Sequence, residues 1–176
     1  KHSIRDNELE VSIERLPSET SLHVIDEQTK KIKQKIVPTG NIKFTYKSCV
    51  DYYVYCLSTV YDFRLFDDFD NADCCLIIKE PLQFEDLLVT KIQEKLPGWS
   101  ALAKTVSYID PLNAKEQSID VCFSKHFRYT YQKEYRIVFV PPSVEALKLD
   151  HIFIEIKNLK NCAEIIILEK FYSKNS

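Results

Sequence analysis

Gln132, Glu134 and Arg136 stand two residues apart at the start of "YQKEYRIVFVPP", residues 131 to 142. Side chains two apart in a strand share a face, so this spacing predicts a carboxamide, a carboxylate and a guanidinium side by side at a strand mouth. The same face runs on into Val138 and Val140, which predicts that it is half buried at its far end. A partly desolvated acid beside a cation and an amide is the arrangement that tunes a carboxylate for chemistry. The plainer reading is an ion pair at a strand end, worth under about 1 kcal/mol if exposed. Just upstream, "FSKHFRYTY" supplies Ser124, Lys125, His126, Arg128, Tyr129 and Tyr131. Cations for phosphate and tyrosine faces for a base suit an anionic, nucleotide-like ligand, with core aromatics and solvated cations as the alternative. A third candidate is Ser58–Thr59, hydroxyls at the end of the apolar run "YVYCLS".

Other chemistries are excluded or weakened by what is missing. No G-x-S-x-G occurs, so a hydrolase elbow is unsupported. Gly40 and Gly98 are the only glycines, too few for a glycine-rich phosphate loop. The six cysteines contain no C-x-x-C and read as reduced core residues; the four histidines show no H-x-x-x-H. No metal site is therefore expected. Acidic "DDFDNAD" (67–73) lacks the spacing and glycine of a calcium loop and reads as a polar loop. A metal-dependent nuclease would rest on scattered acids and Lys125, without a motif.

These residues need a scaffold, and 176 residues at 45% apolar content suffice for a single domain spanning 1–176. With 24 Lys and Arg against 26 Asp and Glu the formal charge is −2, so no global field draws the chain to nucleic acid or an anionic membrane, although nucleic-acid binding stays open. The apolar runs are far shorter than a membrane span, and no signal peptide opens the chain; a soluble, cytoplasmic protein without membrane contact is the expectation. The complete absence of Met points to a chain truncated or processed at its N-terminus.

Periodicity predicts strands near 42–47 and 52–58, a short amphipathic helical turn in 62–72, and a strand in "DCCLIIK". A helix over 82–96 carries Phe84, Leu87, Leu88, Ile92 and Leu96 on one face and ends at "PG". Further strands are expected in "AKTVSYIDP", "EYRIVFV", "HIFIEI" and "EIIIL", with a loop or short helix over "NAKEQSIDVCFSKHF". "SLHVIDEQTKKIKQKIVP" reads as an edge strand and a charged connection bearing Lys30, Lys31, Lys33 and Lys35. Seven or so strands with few helices and no strand-helix alternation make an α+β fold with a mixed, mainly antiparallel sheet.

Taken together, "YCLS", "DFDNADCCLIIK", "FSKHFRYTYQKEYRIVF" and "EIKNLKNCAEIII" resemble an uncharacterised bacterial and phage family with a C-x-S, F-x-K and Y-x-x-E-x-R pattern. The similarity covers about residues 50 to 168, and "IRDNELE" resembles that family's R-D-x-x-E segment. A more distant resemblance is to ADP-ribosyltransferases: "QKEYRIVFVPP" is similar to their Q/E-x-E strand, and "CLSTVYDFRLFDDFDNADCCLIIK" to their serine-threonine strand with the helix and strand after it. That resemblance implies an ADP-ribosyltransferase-like fold and an NAD-dependent enzyme of bacterial or phage origin, in conflict between the two. Glu134 would stabilise the oxocarbenium-like transition state as nicotinamide leaves, and Gln132 would orient a macromolecular acceptor. Ser58, Thr59, Arg136, Tyr131, Tyr129 and Lys125 would serve the nucleotide. The family's first-strand Arg or His has no counterpart here, Arg5 lying in a polar segment, and the missing Met leaves room for such a strand before Lys1. The other function carried from the sequence is a non-catalytic domain binding a ligand or a partner protein.

Overall fold

The computed structural model describes residues 9–69, 72–114, 118–143 and 149–167. Strands β1 (Glu10–Arg15), β2 (Leu22–Ile25), β3 (Ile32–Ile36) and β4 (Ile42–Lys47) come first. β5 (Tyr53–Ser58) leads to the short helix α1 (Arg64–Asp68), then β6 (Cys74–Ile78), the long helix α2 (Pro81–Lys95), β7 (Ser100–Thr105) and β8 (Ser107–Ile109). β9 (Ser124–His126), β10 (Glu134–Val140) and β11 (Ala163–Ile167) complete the order. All strand pairs but the parallel β8–β9 are antiparallel, so the fold is α+β as the sequence implied. The chain divides into two compact units: a first within 49–105 and 131–167, and a second within 9–48 and 106–130.

The first unit is built on a three-stranded sheet, β5-β10-β7, with β10 in the middle. "EYRIVFV" is central because it is apolar on both faces beyond its polar mouth: Ile137 and Val138 are fully buried and Phe139 nearly so. α2 starts at Pro81, whose fixed φ and missing N–H suit a first helical turn, and it ends before Gly98, which sits at φ +84°. Its buried stripe Phe84, Leu88 and Ile92 packs with Ile137, Phe139, Trp99 and Cys162 as one core. Each such side chain, removed from water, contributes roughly 1.5–3 kcal/mol. β6 and β11 pair separately, from Ala163↔Ile78 to Ile167↔Cys74.

Two expectations need correcting in this unit. "HIFIEI" is extended and keeps the alternation, with Ile152, Ile154 and Ile156 half buried and His151, Phe153 and Glu155 exposed, but it belongs to no strand ladder. Alternation reports a half-buried segment and does not require a hydrogen-bonded neighbour. The cysteines are thiols, yet only Cys162 is buried, while Cys49, Cys56 and Cys74 are exposed. Small, thin sheets leave one face open, so an apolar strand is not necessarily a buried one.

In the second unit β1 and β4 pair from Glu10↔Lys47 to Arg15↔Ile42, and Ile13, fully buried, meets Ile109 and Ala114. β9, within a stretch expected to be loop or short helix, pairs with β8; Val121–Phe123 supplies the short helical turn. The segment expected to be an edge strand and a connection is a hairpin, β2–β3. Its turn is held by Asp26, whose carboxylate accepts the Gln28 and Thr29 N–H groups at 3.0 and 2.8 Å and pairs with Lys33 at 2.7 Å. The Lys33 bond and then the Thr29 bonds bring the Asp26 pKa down to about 2. Lys30 takes the left-handed conformation, φ 57°, that closes the loop.

Candidate functional site

Glu134 begins β10, and its side chain accepts a hydrogen bond from Arg136 Nε at 2.7 Å. Both groups are closed from solvent, at 6% and 0% side-chain exposure. The period-two spacing therefore does place them together, on the face of the sheet opposite the one carrying Tyr135, Ile137 and Phe139 and covered by α2. The registers put Ser58 opposite Glu134, and Cys56 and Lys104 opposite Arg136. Strand pairing thus sets Ser58, from the third candidate stretch, directly across from Glu134.

The hydroxyls at the end of β5 act on the backbone that enters β10. Ser58 Oγ lies 2.7 Å from the Gln132 carbonyl and 2.7 Å from that of Val60, while Val60 N–H donates to it at 3.2 Å. Thr59 donates to the Lys133 carbonyl through both its N–H and its Oγ1, each at 2.9 Å. Lys133 stands at φ 42°, a left-handed conformation costly for a residue with a Cβ and one the surrounding bonds must hold.

That left-handed residue changes where Gln132 goes. The strand starts only at Glu134, and Phe127–Gln132 is a 3-10 helical segment, so the two-residue period does not extend back to Gln132. Its Nε2 donates instead to Asp68 Oδ2 at 3.0 Å, and Tyr131 OH donates to the same carboxylate oxygen. The Arg64 guanidinium lies 4.5 Å from the Tyr131 ring centroid and is held by Asp62, with Nη2 to Oδ2 at 2.6 Å. The Arg64 side-chain bond, ahead of its backbone bond, lowers the Asp62 pKa to about 2. The sequence pattern does not mark Arg64, Asp62 and Asp68 as site residues, although Asp68 lies in the acidic "DDFDNAD". Phe63, Phe66 and Tyr61 pack on one another beside this cluster, with centroids 5.3 to 6.2 Å apart.

Lys125 and Tyr129 belong to the second unit, and both are buried. The Tyr129 ring has the Lys125 ammonium 4.9 Å from its centroid and the Arg128 guanidinium 4.6 Å away, and Arg128 Nη2 donates to its hydroxyl at 2.5 Å. Both cations thus lie at the ring of Tyr129 itself, a cation–π arrangement within the chain, where the sequence suggested cations for a ligand's phosphate and a tyrosine face for its base. His126 stacks on Phe127 at 4.9 Å, and its Nδ1 accepts the Arg128 N–H at 3.2 Å. Among the described residues no group of three or more His, Cys, Asp or Glu is placed to hold a metal ion.

A pocket lies elsewhere in the first unit, on the α2 face of the sheet. It has a volume of 640 Å³ and is walled by aromatic and aliphatic side chains, Tyr55, Phe84, Phe139 and Ile154 among them. It and the Glu134–Arg136 pair therefore occupy opposite faces of one sheet. No charge pattern marks it in the sequence, because its walls have the composition of any core.

No protein-family model, no curated protein and no solved structure matches this chain.

Proposed function

We propose that this chain is a non-catalytic domain that binds a ligand or a partner protein, in which the Glu134–Arg136 pair holds the mouth of β10. The observation that carries this reading is the burial of that pair, at 6% and 0% exposure and 2.7 Å apart. A general acid or a transition-state stabiliser has to reach the reacting atoms. A carboxylate closed away on an arginine does not. The Ser58 and Thr59 hydroxyls likewise act on the main chain of residues 132 and 133. A thermal-shift panel of nucleotides including NAD, read on wild type and Glu134→Ala, tests the reading. It expects no response to NAD and a lower melting temperature for the variant. Unchanged stability together with a lost ligand response counts against it.

The second reading is an NAD-dependent ADP-ribosyltransferase-like enzyme acting on a macromolecular acceptor. What favours it is the register that sets Ser58 opposite Glu134. Arg136, fully buried, offers no surface to a cofactor, so a nucleotide would have to be held by other side chains such as Tyr131. Nicotinamide release from NAD that disappears in Glu134→Gln would establish this reading and overturn the first.

A further inference from the structure

We propose that the first unit binds a small, planar, uncharged molecule bearing one hydrogen-bond acceptor, in the pocket between α2, the β5–β10 face and the extended segment 149–156. The proposal deepens the binding-domain reading and rests on it. Protein interiors are close-packed, with few voids larger than a water molecule. The pocket is instead a half-open cleft lined by core side chains of α2 and β10, and its 640 Å³ falls within the roughly 300–1,000 Å³ of small-molecule sites. Its walls also define a class of occupant.

The aromatic part of the wall favours a flat ring system: Tyr55 and Phe84 stand 5.7 Å apart at 45°, and Phe139 lies on the same face. Leu88, Ile154 and Ile156 complete an aliphatic surface. A charged ligand would lose its hydration here without a counter-ion, because the ionisable pair at the pocket, Asp150 and His151, holds its side chains out at 99% and 95% exposure. Tyr55 brings a hydroxyl to the wall. The Tyr55 hydroxyl makes no hydrogen bond among the described residues. Burial raises the Tyr55 pKa, so the phenol stays protonated and can donate to an acceptor on a ligand. Tyr53 has the other role: its hydroxyl donates to the Asp150 carbonyl at 2.6 Å and ties the extended segment down as the third wall.

The probe for the test is Prodan, a planar, uncharged naphthyl ketone whose emission shifts to the blue in apolar surroundings. Titrated onto the 176-residue chain, it is expected to bind saturably at one site with blue-shifted emission. Ile154→Trp, which fills the pocket, should weaken binding about tenfold or more, and Tyr55→Phe, which removes only the donor, about three- to tenfold. Non-saturable binding, or binding that neither substitution alters, overturns the proposal. If Ile154→Trp does not fold, chemical-shift changes in the wild type decide. Changes centred on Tyr55, Phe84 and Ile154 support the pocket, and changes elsewhere or none overturn it. Failure here leaves the binding-domain reading standing if NAD is neither bound nor cleaved, whereas Glu134-dependent nicotinamide release sinks that reading whatever Prodan does.

Discussion

Removing the Glu134 carboxylate would leave the Arg136 guanidinium buried beside no counter-charge from that position, and the sign of the effect is set by desolvation. Breaking a buried pair from one side typically costs about 3–5 kcal/mol, whereas replacing both partners by apolar groups of similar volume is often neutral or better. Glu134→Ala is therefore expected to lower unfolding free energy by roughly that amount, and Glu134→Leu with Arg136→Met to regain most of it; urea denaturation of the three proteins is the measurement. A single variant as stable as wild type would mean that the pair does not hold the strand mouth and would reopen the case for a working carboxylate. The pair itself was legible in the sequence, since E-Y-R inside an apolar strand fixes two side chains on one face. The position of Gln132 was not. The reversal of the chain at Lys133 is held by Thr59, which is 74 residues away in sequence, and no glycine, asparagine or aspartate marks the left-handed residue. A local period can be trusted only as far as the strand that carries it.

Helix α2 was readable for the same reason that it is stable: its apolar residues recur at the helical spacing, and the structure buries Phe84, Leu88 and Ile92 at 2%, 3% and 3% exposure. Leu88→Ala should then cost about 2–5 kcal/mol, while Leu82→Ala, at a position 84% exposed, should stay within about 0.5 kcal/mol; paired denaturation curves separate the two. The hairpin β2–β3 was missed because Lys31, Lys33 and Lys35 make its second strand look like a charged connection, and all of β3 is in fact exposed. What defines that element is its turn, and the turn has a pH signature. Asp26 has a folded pKa of about 2 against an ordinary 3.8, so its contribution is present in full above the unfolded value and is lost as pH falls through the folded one. Nuclear magnetic resonance should find Asp26 titrating near the lower value, with Lys33→Ala moving it back toward 3.8, since the Lys33 bond is the first cause of the shift. An Asp26 that titrates normally in the wild type would show that the turn is not closed in this way.

Across the whole molecule the six cysteines provide a reporter that composition alone misjudged. As small hydrophobes in strand-like segments they all suggested burial, but whether a strand position is covered depends on what lies over its sheet, which no local pattern records. The same gap hides the division into two units, since each is assembled from segments far apart in sequence. Solvent exposure now ranks the thiols: Cys49, Cys56 and Cys74 are exposed, Cys75 and Cys122 intermediate, and Cys162 buried at 0%. Reaction rate also tracks the thiolate fraction, and burial, together with the charge of Cys74 as a second cause, pushes the Cys75 thiol up, so Cys75 should lag its exposed neighbour. A disulfide reagent with mass-spectrometric readout at neutral pH is therefore expected to modify Cys49, Cys56 and Cys74 first and Cys75 more slowly. Cys162 should react only as fast as the first unit opens, because it lies in one core with Phe84, Leu88 and Ile137. Leu88→Ala provides the decisive comparison: by destabilising that core it should speed Cys162 labelling by about tenfold or more for the roughly 2–5 kcal/mol it removes, while leaving exposed Cys49 unchanged. Cys162 labelling as fast as Cys49 in the wild type would show that the α2 core does not close over it.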